Sequence, residues 1–307
     1  MDVLDSALPR PLYEELRTHV KSKHYQFGWT SGDKSEFDRF FNSQYVAGAA
    51  RNRRDVSAEL LAEAPGVLWQ TWCHLRDEHF ARTPVLLRAY CNMQLFGVES
   101  HPHTDVPPWH LDDRSSVLYC VDDAWQADWG GATVVFQSNG RLQGVLPAPN
   151  RLVTLPSAQL HQAQPLARHC PVPRFVLVFK YRPQCDYHDF FERKNWDRTS
   201  SGSRWLSERL WGAAWQARQM GAPAHVAEAA MFHLAYLPSL LCGAAPAMRE
   251  ELQALISPEA EALVHAISRL REDRLDESLT AEGGEFAIIQ AARAADLRQY
   301  PDKMSTR

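Results

Sequence analysis

The chain has 307 residues, a hydrophobic fraction of 45% and a formal net charge of −4. This length allows one large domain or two small ones with an ordinary core. The negative charge does not favour nucleic acid, because that binding depends on lysine and arginine at the phosphates. No apolar stretch is long enough to span a bilayer, and residues 1–6 lack the basic and apolar segments of a signal peptide. We therefore expect neither a nucleic-acid partner nor a membrane partner.

Residues 1–84 are predicted to form a mainly helical support region. Apolar residues recur every four positions, as on one face of a helix, at Leu12, Leu16 and Val20. The aromatic and glycine-rich segment 25–32 indicates a strand and a turn. Residues 58–80 are expected to be helical again, with a break at Pro65-Gly66.

Residues 85–199 are predicted to form a β-rich core. Short apolar runs, such as 134–136, 151–155 and 175–181, are separated by clusters of proline, glycine, asparagine and aspartate. Many short strands with such turns indicate a double-sheet jelly roll, also called a double-stranded β-helix. The predicted fold class is therefore α+β.

Residues 200–307 are predicted to form a C-terminal helical region. Helical periodicity is present in four segments: 204–219, 224–237, 246–255 and 258–274. Ser257 before Pro258 is a good helix start, with serine as the cap and proline at the first position. Isolated short helices are marginal in water, so these must pack on the core or on a second subunit. A lid, a support or a homodimer interface all remain open.

The sequence His103-Thr104-Asp105 carries the strongest chemical signal. In an extended segment, the imidazole and the carboxylate of His-x-Asp lie on the same side. A second imidazole, from His161, would complete the set of two histidines and one carboxylate that binds non-haem Fe(II) and leaves positions open. Arg174 begins an apolar strand and can hold a carboxylate through two hydrogen bonds.

His-x-Asp alone is a weak motif, because the chain has 13 histidines and 37 acidic residues. Prolines flank the motif at Pro102 and Pro107, so a surface turn is the simplest alternative. His101 also alternates with His103, but only His103 gives the His-x-Asp spacing.

Residues 86–183 resemble the catalytic core of the prolyl-hydroxylase-like branch of the Fe(II)/2-oxoglutarate-dependent oxygenases. The resemblance lies in blocks that follow the order of the family: 85–90, 103–105, 116–121, 130–133, 149–155, 161–165 and 174–179. The chain departs from the family at Ala132, where glutamate is frequent, and at Asn150, where glycine is frequent. Asparagine tolerates a left-handed backbone, so the turn at Asn150 is expected to survive.

The resemblance implies a 2-oxoglutarate-dependent non-haem iron dioxygenase. His103, Asp105 and His161 would be both metal ligands and catalytic residues, with O₂ and 2-oxoglutarate as co-substrates and ascorbate as an optional reductant. Arg174 would bind the distal carboxylate of 2-oxoglutarate, with Arg168 as the rival. Tyr90 or Tyr119 would donate a hydroxyl to the same carboxylate, although a packed tyrosine is an equal alternative for each.

The expected reaction is hydroxylation of an unactivated C–H bond with decarboxylation of 2-oxoglutarate to succinate. Related halogenases lack the carboxylate that Asp105 provides, so its presence favours hydroxylation, desaturation or ring closure. Polar residues after the motif are expected to line the mouth of the site: Trp109, His110, Asp112, Asp113 and Arg114. They favour a small polar substrate such as an amino acid or a natural-product intermediate. The alternatives are a protein or peptide (prolyl-type) hydroxylase and a non-catalytic cupin-like metal-binding protein.

The cysteines indicate a reducing compartment. None of the six forms Cys-x-x-Cys, which argues against a zinc site or a thioredoxin-like motif. Several lie in apolar segments, where cysteine behaves as a small hydrophobic residue. The predicted location is therefore the cytoplasm, with reduced thiols.

Overall fold

The computed structural model describes residues 1–30, 39–47, 53–80, 83–98, 100–201, 204–236, 245–268 and 284–299. The chain divides into two compact units, Met1–Gln184 and Cys185–Arg307. Residues 1–84 and the strands that follow them belong to the same unit. The three-part organisation with boundaries at residues 84 and 199 stays a prediction.

The described part of the N-terminal unit contains ten strands, three α-helices and one short 3-10 helix at Ala127–Trp129. The strands are β1 (Asp2–Leu4), β2 (Gln26–Trp29), β3 (Phe40–Ala47), β4 (Pro84–Gln94), β5 (Arg114–Tyr119), β6 (Thr133–Phe136), β7 (Leu142–Val145), β8 (Leu152–Pro156), β9 (His161–Ala163) and β10 (Arg174–Pro183). The helices are α1 (Arg10–Lys21), α2 (Ser57–Glu63) and α3 (Val67–Glu78).

These strands form two antiparallel sheets. The larger sheet has the order β1-β8-β5-β10-β4-β3-β2, and the smaller sheet has the order β7-β6-β9. Strands that are far apart in sequence are neighbours in space, as the pairing of β10 with both β4 and β5 illustrates. The predicted α+β class, with a jelly-roll-like core, is confirmed.

The larger sheet buries a different apolar cluster on each face. On one face, Phe179 of β10 packs against Trp72 of α3, with their ring centroids 5.3 Å apart. On the other face, Val176 and Val178 of β10 pack with Val135 of β6. Helices therefore cover one face, and the smaller sheet covers the other.

Strand β3 was not expected from the sequence. It mixes aromatic and amide side chains without a regular alternation, so a pattern of period two does not reveal it. Its pairing with β4 defines it, with Phe41 opposite Met93 and Asn42 opposite Asn92.

The C-terminal unit is mainly helical. It contains α4 (Asp186–Arg193), β11 (Ser200–Ser201), β12 (Arg204–Trp205), α5 (Leu206–Gln219), α6 (Ala224–Phe232), α7 (Ala245–Leu255), α8 (Pro258–Ser268) and α9 (Gly284–Gln299). The four predicted helical segments correspond to α5 to α8, but residues 204–205 form β12 and residues 233–236 are a turn and not helix as predicted. Residues 237 and 269–274 lie outside the described residues. Ser257 Oγ accepts a hydrogen bond from the Ala260 N–H at 3.3 Å, as expected for a helix cap. Helices α4 and α9 were not predicted.

The helices of this unit share an apolar core that includes Phe190, Leu210, Phe232, Leu252 and Val264. Within the described ranges of the chain, none of the helices is both long enough and apolar enough to cross a membrane.

Candidate metal centre

Two histidines that are distant in sequence are joined through their backbones. The His103 N–H donates to the carbonyl of His161 at 2.9 Å, and the His161 N–H donates to the carbonyl of His103 at the same distance. Residues paired in this way project their side chains from the same face. The two imidazole centroids accordingly lie 4.5 Å apart.

The backbone also fixes how the two rings are turned. Nδ1 of His103 lies 2.8 Å from the carbonyl oxygen of His101, and Nδ1 of His161 lies 2.8 Å from the carbonyl oxygen of Gln159. A carbonyl can only accept, so each Nδ1 carries a proton, and Nε2 is the nitrogen that a neutral ring offers to a metal. Both Nε2 atoms face the Asp105 carboxylate, at 3.6 Å each. A hydrogen bond of this kind from a ligand histidine to a carbonyl is a usual feature of metal sites.

Asp105 is held by its backbone and by its side chain. Its N–H donates to the carbonyl of Ser157 at 2.8 Å. One carboxylate oxygen accepts a 2.6 Å hydrogen bond from the hydroxyl of Ser115 on β5. One ligand atom from each of Asp105, His103 and His161 can be chosen so that all three lie within 4.8 Å of one another. Together they offer two imidazole nitrogens and a carboxylate oxygen to one cation.

Lys180 is a member of this cluster that the sequence analysis missed. Its Nζ lies 2.6 Å from Asp105 Oδ1, and its side chain is only 14% exposed. The sequence could have indicated it, because side chains alternate between the two faces of β10. Residues 174, 176, 178 and 180 therefore share one face. Lys180 therefore lies on the same face as Arg174.

The charges of the cluster determine its protonation. Burial opposes ionisation of Asp105, yet the nearby Lys180 ammonium and the two imidazoles hold the pKa of that carboxyl well below its usual range. Burial likewise opposes the charge of Lys180, but Asp105 raises the pKa of the lysine. Burial lowers the pKa of His161, which favours the neutral imidazole that a metal requires. For His103, burial is outweighed by Asp105, and the pKa is raised.

Arg174 is buried at the start of β10. Its guanidinium donates to the carbonyl of Gly131 and lies 5.7 Å from the centroid of the Tyr119 ring. Among the described residues, its Nε has no hydrogen-bond partner. Gly131 has a φ of +74°, and a Cβ there would approach Leu166 Cδ2 to 2.6 Å and Arg174 Cδ to 3.2 Å. The positive φ and the close approach of Leu166 therefore favour glycine at this position, beside the Arg174 side chain.

One cavity of about 260 Å³ brings most of the predicted site residues together. From the sequence-predicted set, it is lined by His103, Asp105, His161, Arg174 and Tyr90. Several further polar side chains line it that the sequence did not single out: Asn42, Arg88, Asn92, Gln94, Ser115 and Lys180.

The two candidate tyrosines have different surroundings. The Tyr90 ring lies in the cavity wall, 5.7 Å from Lys180 Nζ. The Tyr119 hydroxyl instead contacts Thr133 Oγ1 at 2.6 Å and accepts a hydrogen bond from the Thr133 N–H. Tyr119 is not among the residues that line the cavity.

Arg168, the alternative to Arg174, and His101, the alternative to His103, do not line the cavity. Arg168 is exposed in the loop before β10, and the side chain of His101 is exposed as well. Neither belongs to the described residues that surround the cavity.

The residues predicted to line the mouth do not line this cavity. Asp113 is buried and forms an ion pair with Arg53, a residue 60 positions earlier in the chain. Trp109 and His110 are buried, and Arg114 donates to the carbonyls of Leu111 and Asp113. The prediction is wrong because residues that follow the metal motif in sequence need not lie at the cavity in space. In the structure these side chains contact other parts of the chain, such as Arg53.

Comparison with known proteins gives the family of the N-terminal unit. Residues 88–182 match the model of the 2OG-Fe(II) oxygenase superfamily, so this part of the chain belongs to that superfamily. The matched segment is thus that of a 2OG-Fe(II) oxygenase, a family that uses Fe(II) and 2-oxoglutarate. The superfamily and both cofactors predicted from the sequence are confirmed. No curated protein matches the chain.

Three solved structures illustrate the breadth of the similarity. A Pseudomonas putida prolyl-4-hydroxylase is 18% identical, with a TM-score of 0.42, and the match covers 59% of this chain and 91% of that one. A 2OG-Fe(II) oxygenase family oxidoreductase from Burkholderia pseudomallei is 16% identical, with a TM-score of 0.42 and coverages of 59% and 84%. HygX from Streptomyces hygroscopicus, with nickel and 2-oxoglutarate bound, is 12% identical, with a TM-score of 0.41 and coverages of 59% and 82%.

Proposed function

We propose that this protein is a dioxygenase that hydroxylates a C–H bond of a small polar molecule at an iron held by His103, Asp105 and His161. The observation that carries the proposal is the convergence of the three ligand atoms, all within 4.8 Å of one another. Two nitrogen ligands and one carboxylate suit Fe(II) and leave other coordination positions for reactants. The protonated Nδ1 atoms support the fit, since they direct each Nε2 toward the carboxylate.

Arg174 is proposed to bind the distal carboxylate of 2-oxoglutarate. A buried guanidinium with an unpaired Nε is suited to a carboxylate ligand, because buried polar atoms are normally hydrogen-bonded. Gln94 lies directly opposite Arg174 on β4, and its buried Oε1 also has no partner among the described residues. These two residues therefore mark a place in the cavity that is built for a polar ligand.

When bound, Fe(II) supplies the activation of O₂ and the oxidative decarboxylation of 2-oxoglutarate. The residues of the chain hold and shield this chemistry. Ser115 fixes the Asp105 carboxylate through its 2.6 Å hydrogen bond. Val176 and Val178 contribute apolar wall between Arg174 and Lys180, which limits the access of water to the reacting groups.

A small substrate is supported by the size of the cavity, about 260 Å³, and by the amides of Asn42, Asn92 and Gln94 in its wall. Two finer proposals accompany this one. The five described cysteines are all free, which suits the cytoplasm. A homodimer through the C-terminal helices stays a prediction, which light scattering of the purified protein tests.

The test compares the wild-type protein with His161→Ala, and uses His24→Ala as the control because His24 is an exposed histidine outside the cavity. Nickel titration gives the metal stoichiometry. Succinate release gives the turnover, with panels of small molecules and proline-containing peptides. We expect one metal ion per chain for wild type and His24→Ala, and none for His161→Ala.

Stoichiometric metal in the His161→Ala protein would refute the ligand assignment. Succinate release stimulated by peptides but by no small molecule would move the substrate to the peptide class. A metal-binding wild type that releases no succinate under any condition would favour a non-catalytic binding protein.

A further inference from the structure

Two cations face each other on the wall of the cavity. Arg88 of β4 and Lys180 of β10 are direct partners in the register of the sheet, and both line the cavity. Like charges directly opposite each other destabilise a sheet. Lys180 is paired with Asp105, whereas Arg88 has no acidic partner among the described residues, so we look for a role of the Arg88 charge in what the cavity binds.

The charge of the cavity supports this interpretation. Among the described residues that line it, Arg88, Arg174 and Lys180 are cationic, and Asp105 is acidic. Fe(II) and the dianion of 2-oxoglutarate cancel each other, so the filled site keeps an excess of positive charge. A cavity of one sign concentrates ligands of the opposite sign.

The surroundings of Arg88 leave its guanidinium free for a ligand. Its Nε donates to Gln44 Oε1 at 3.2 Å, and no acidic residue in the described parts of the chain pairs with it. The guanidinium carbon lies 4.7 Å from the centroid of Tyr90 and 5.7 Å from that of Trp29. These contacts hold the guanidinium in place. Its two terminal nitrogens, which can donate together to an oxyanion, have no partner among the described residues.

We infer that Arg88, between Trp29 and Tyr90 and assisted by Lys180, forms a subsite for an oxyanion of the oxidised substrate. The substrate class is then a small molecule that carries a carboxylate or a phosphate. This inference rests on the proposed function, because it assumes that Arg174 is occupied by 2-oxoglutarate. It adds a second anion site at the opposite end of β10.

The test uses the full chain loaded with Ni(II) and saturating 2-oxoglutarate, and three probes with the same ring: benzoate, phenyl phosphate and benzamide. Affinities are measured by calorimetry at low ionic strength. We expect at least one anion to bind wild type at least tenfold more tightly than neutral benzamide. The tighter anion identifies the group that the subsite prefers.

Arg88→Met keeps the apolar stem of the side chain and removes its charge. We expect it to abolish the preference for the anion, whereas Arg141→Met, at an exposed arginine outside the cavity, retains it. The melting temperature of metal-free Arg88→Met is expected to equal or exceed that of wild type, because the charge opposite Lys180 is gone.

Three outcomes would overturn the inference. They are no anion preference in wild type, an unchanged preference in Arg88→Met, and displacement of the probe by additional 2-oxoglutarate. Loss of 2-oxoglutarate binding in Arg88→Met would make Arg88 a co-substrate anchor, which also overturns it. Failure of the proposed function is distinguishable, because the protein would then not bind Ni(II) or 2-oxoglutarate in the loading step.

Discussion

The two faces of strand β10 divide stability and chemistry between them. Phe175, Leu177 and Phe179 face the helices and belong to the apolar core. Arg174 and Lys180 face the cavity, separated by two valines. Because side chains alternate along a strand, the same ten residues present one apolar face to the helices and another face to the cavity. The comparison teaches that substitutions one residue apart in this strand should have different kinds of effect.

The largest expected effect is on the core face. Phe179→Ala removes a fully buried ring that packs on Trp72, and should lower the free energy of unfolding by about 3–5 kcal/mol. Chemical denaturation measures the change. Nickel binding by the fraction that remains folded should still be stoichiometric. A Phe179→Ala protein as stable as wild type would break the division between the two faces.

Asp105→Asn tests whether the cavity face also carries stability. The substitution leaves the Lys180 ammonium without its carboxylate, and should cost the metal-free protein about 3 kcal/mol at neutral pH. The folded pKa of Asp105 is lowered, so its contribution to stability is present above the unfolded pKa of about 4 and is lost as the pH falls through the folded pKa. The difference between the two proteins should therefore shrink in acid. Equal stability at pH 7 would mean that Lys180 relaxes into solvent.

Arg174→Met probes the other end of the cavity face. Loss of a charge-assisted pair worth about 2–3 kcal/mol should weaken 2-oxoglutarate binding by about 30- to 150-fold. Calorimetry on the nickel-loaded protein measures this. Arg168→Met is the matched control and should change the affinity little, since Arg168 is exposed outside the cavity. The opposite ranking would transfer the role to Arg168.

The smallest expected effect concerns Tyr119. Its hydroxyl is engaged with Thr133, so Tyr119→Phe should cost about 1 kcal/mol of stability. Its effect on 2-oxoglutarate affinity should be smaller than that of Tyr90→Phe, because Tyr90 lines the cavity. A larger loss of 2-oxoglutarate affinity in Tyr119→Phe would show that the hydroxyl leaves Thr133 when the co-substrate binds.

The sequence predicted those parts of the site that depend on local spacing. His103 and Asp105 belong to one short motif. Arg174 begins a strand that is predicted by the β-branched and aromatic residues within it. The antiparallel core could be predicted for the same reason, since its strands and turns are read locally. The convergence of these residues on one cavity depends on the tertiary fold. Local sequence patterns did not predict it, and only the family resemblance did.

What the sequence did not reveal depends on register between distant strands. Lys180 can be assigned to the site only when β10 is known to pass next to Asp105. Arg88 can be assigned to the cavity only when it is known to lie opposite Lys180. The failed mouth prediction has the same origin, because the partner of Asp113 is Arg53, far away in sequence. Single-sequence patterns do not encode such pairs.

The backbone pairing of His103 with His161 has a consequence for local opening. It is an isolated bridge between His103 and the first residue of β9, so the segment around His103 can separate from β9 without loss of either sheet. A metal ion bound to both side chains raises the free energy of this local opening. The increase is about 2.7 kcal/mol when the metal concentration is a hundred times its dissociation constant. The amide protons of these two histidines should then exchange with solvent more slowly when metal is present. Hydrogen exchange at two backbone positions thus reports metal occupancy, even where no turnover can be measured.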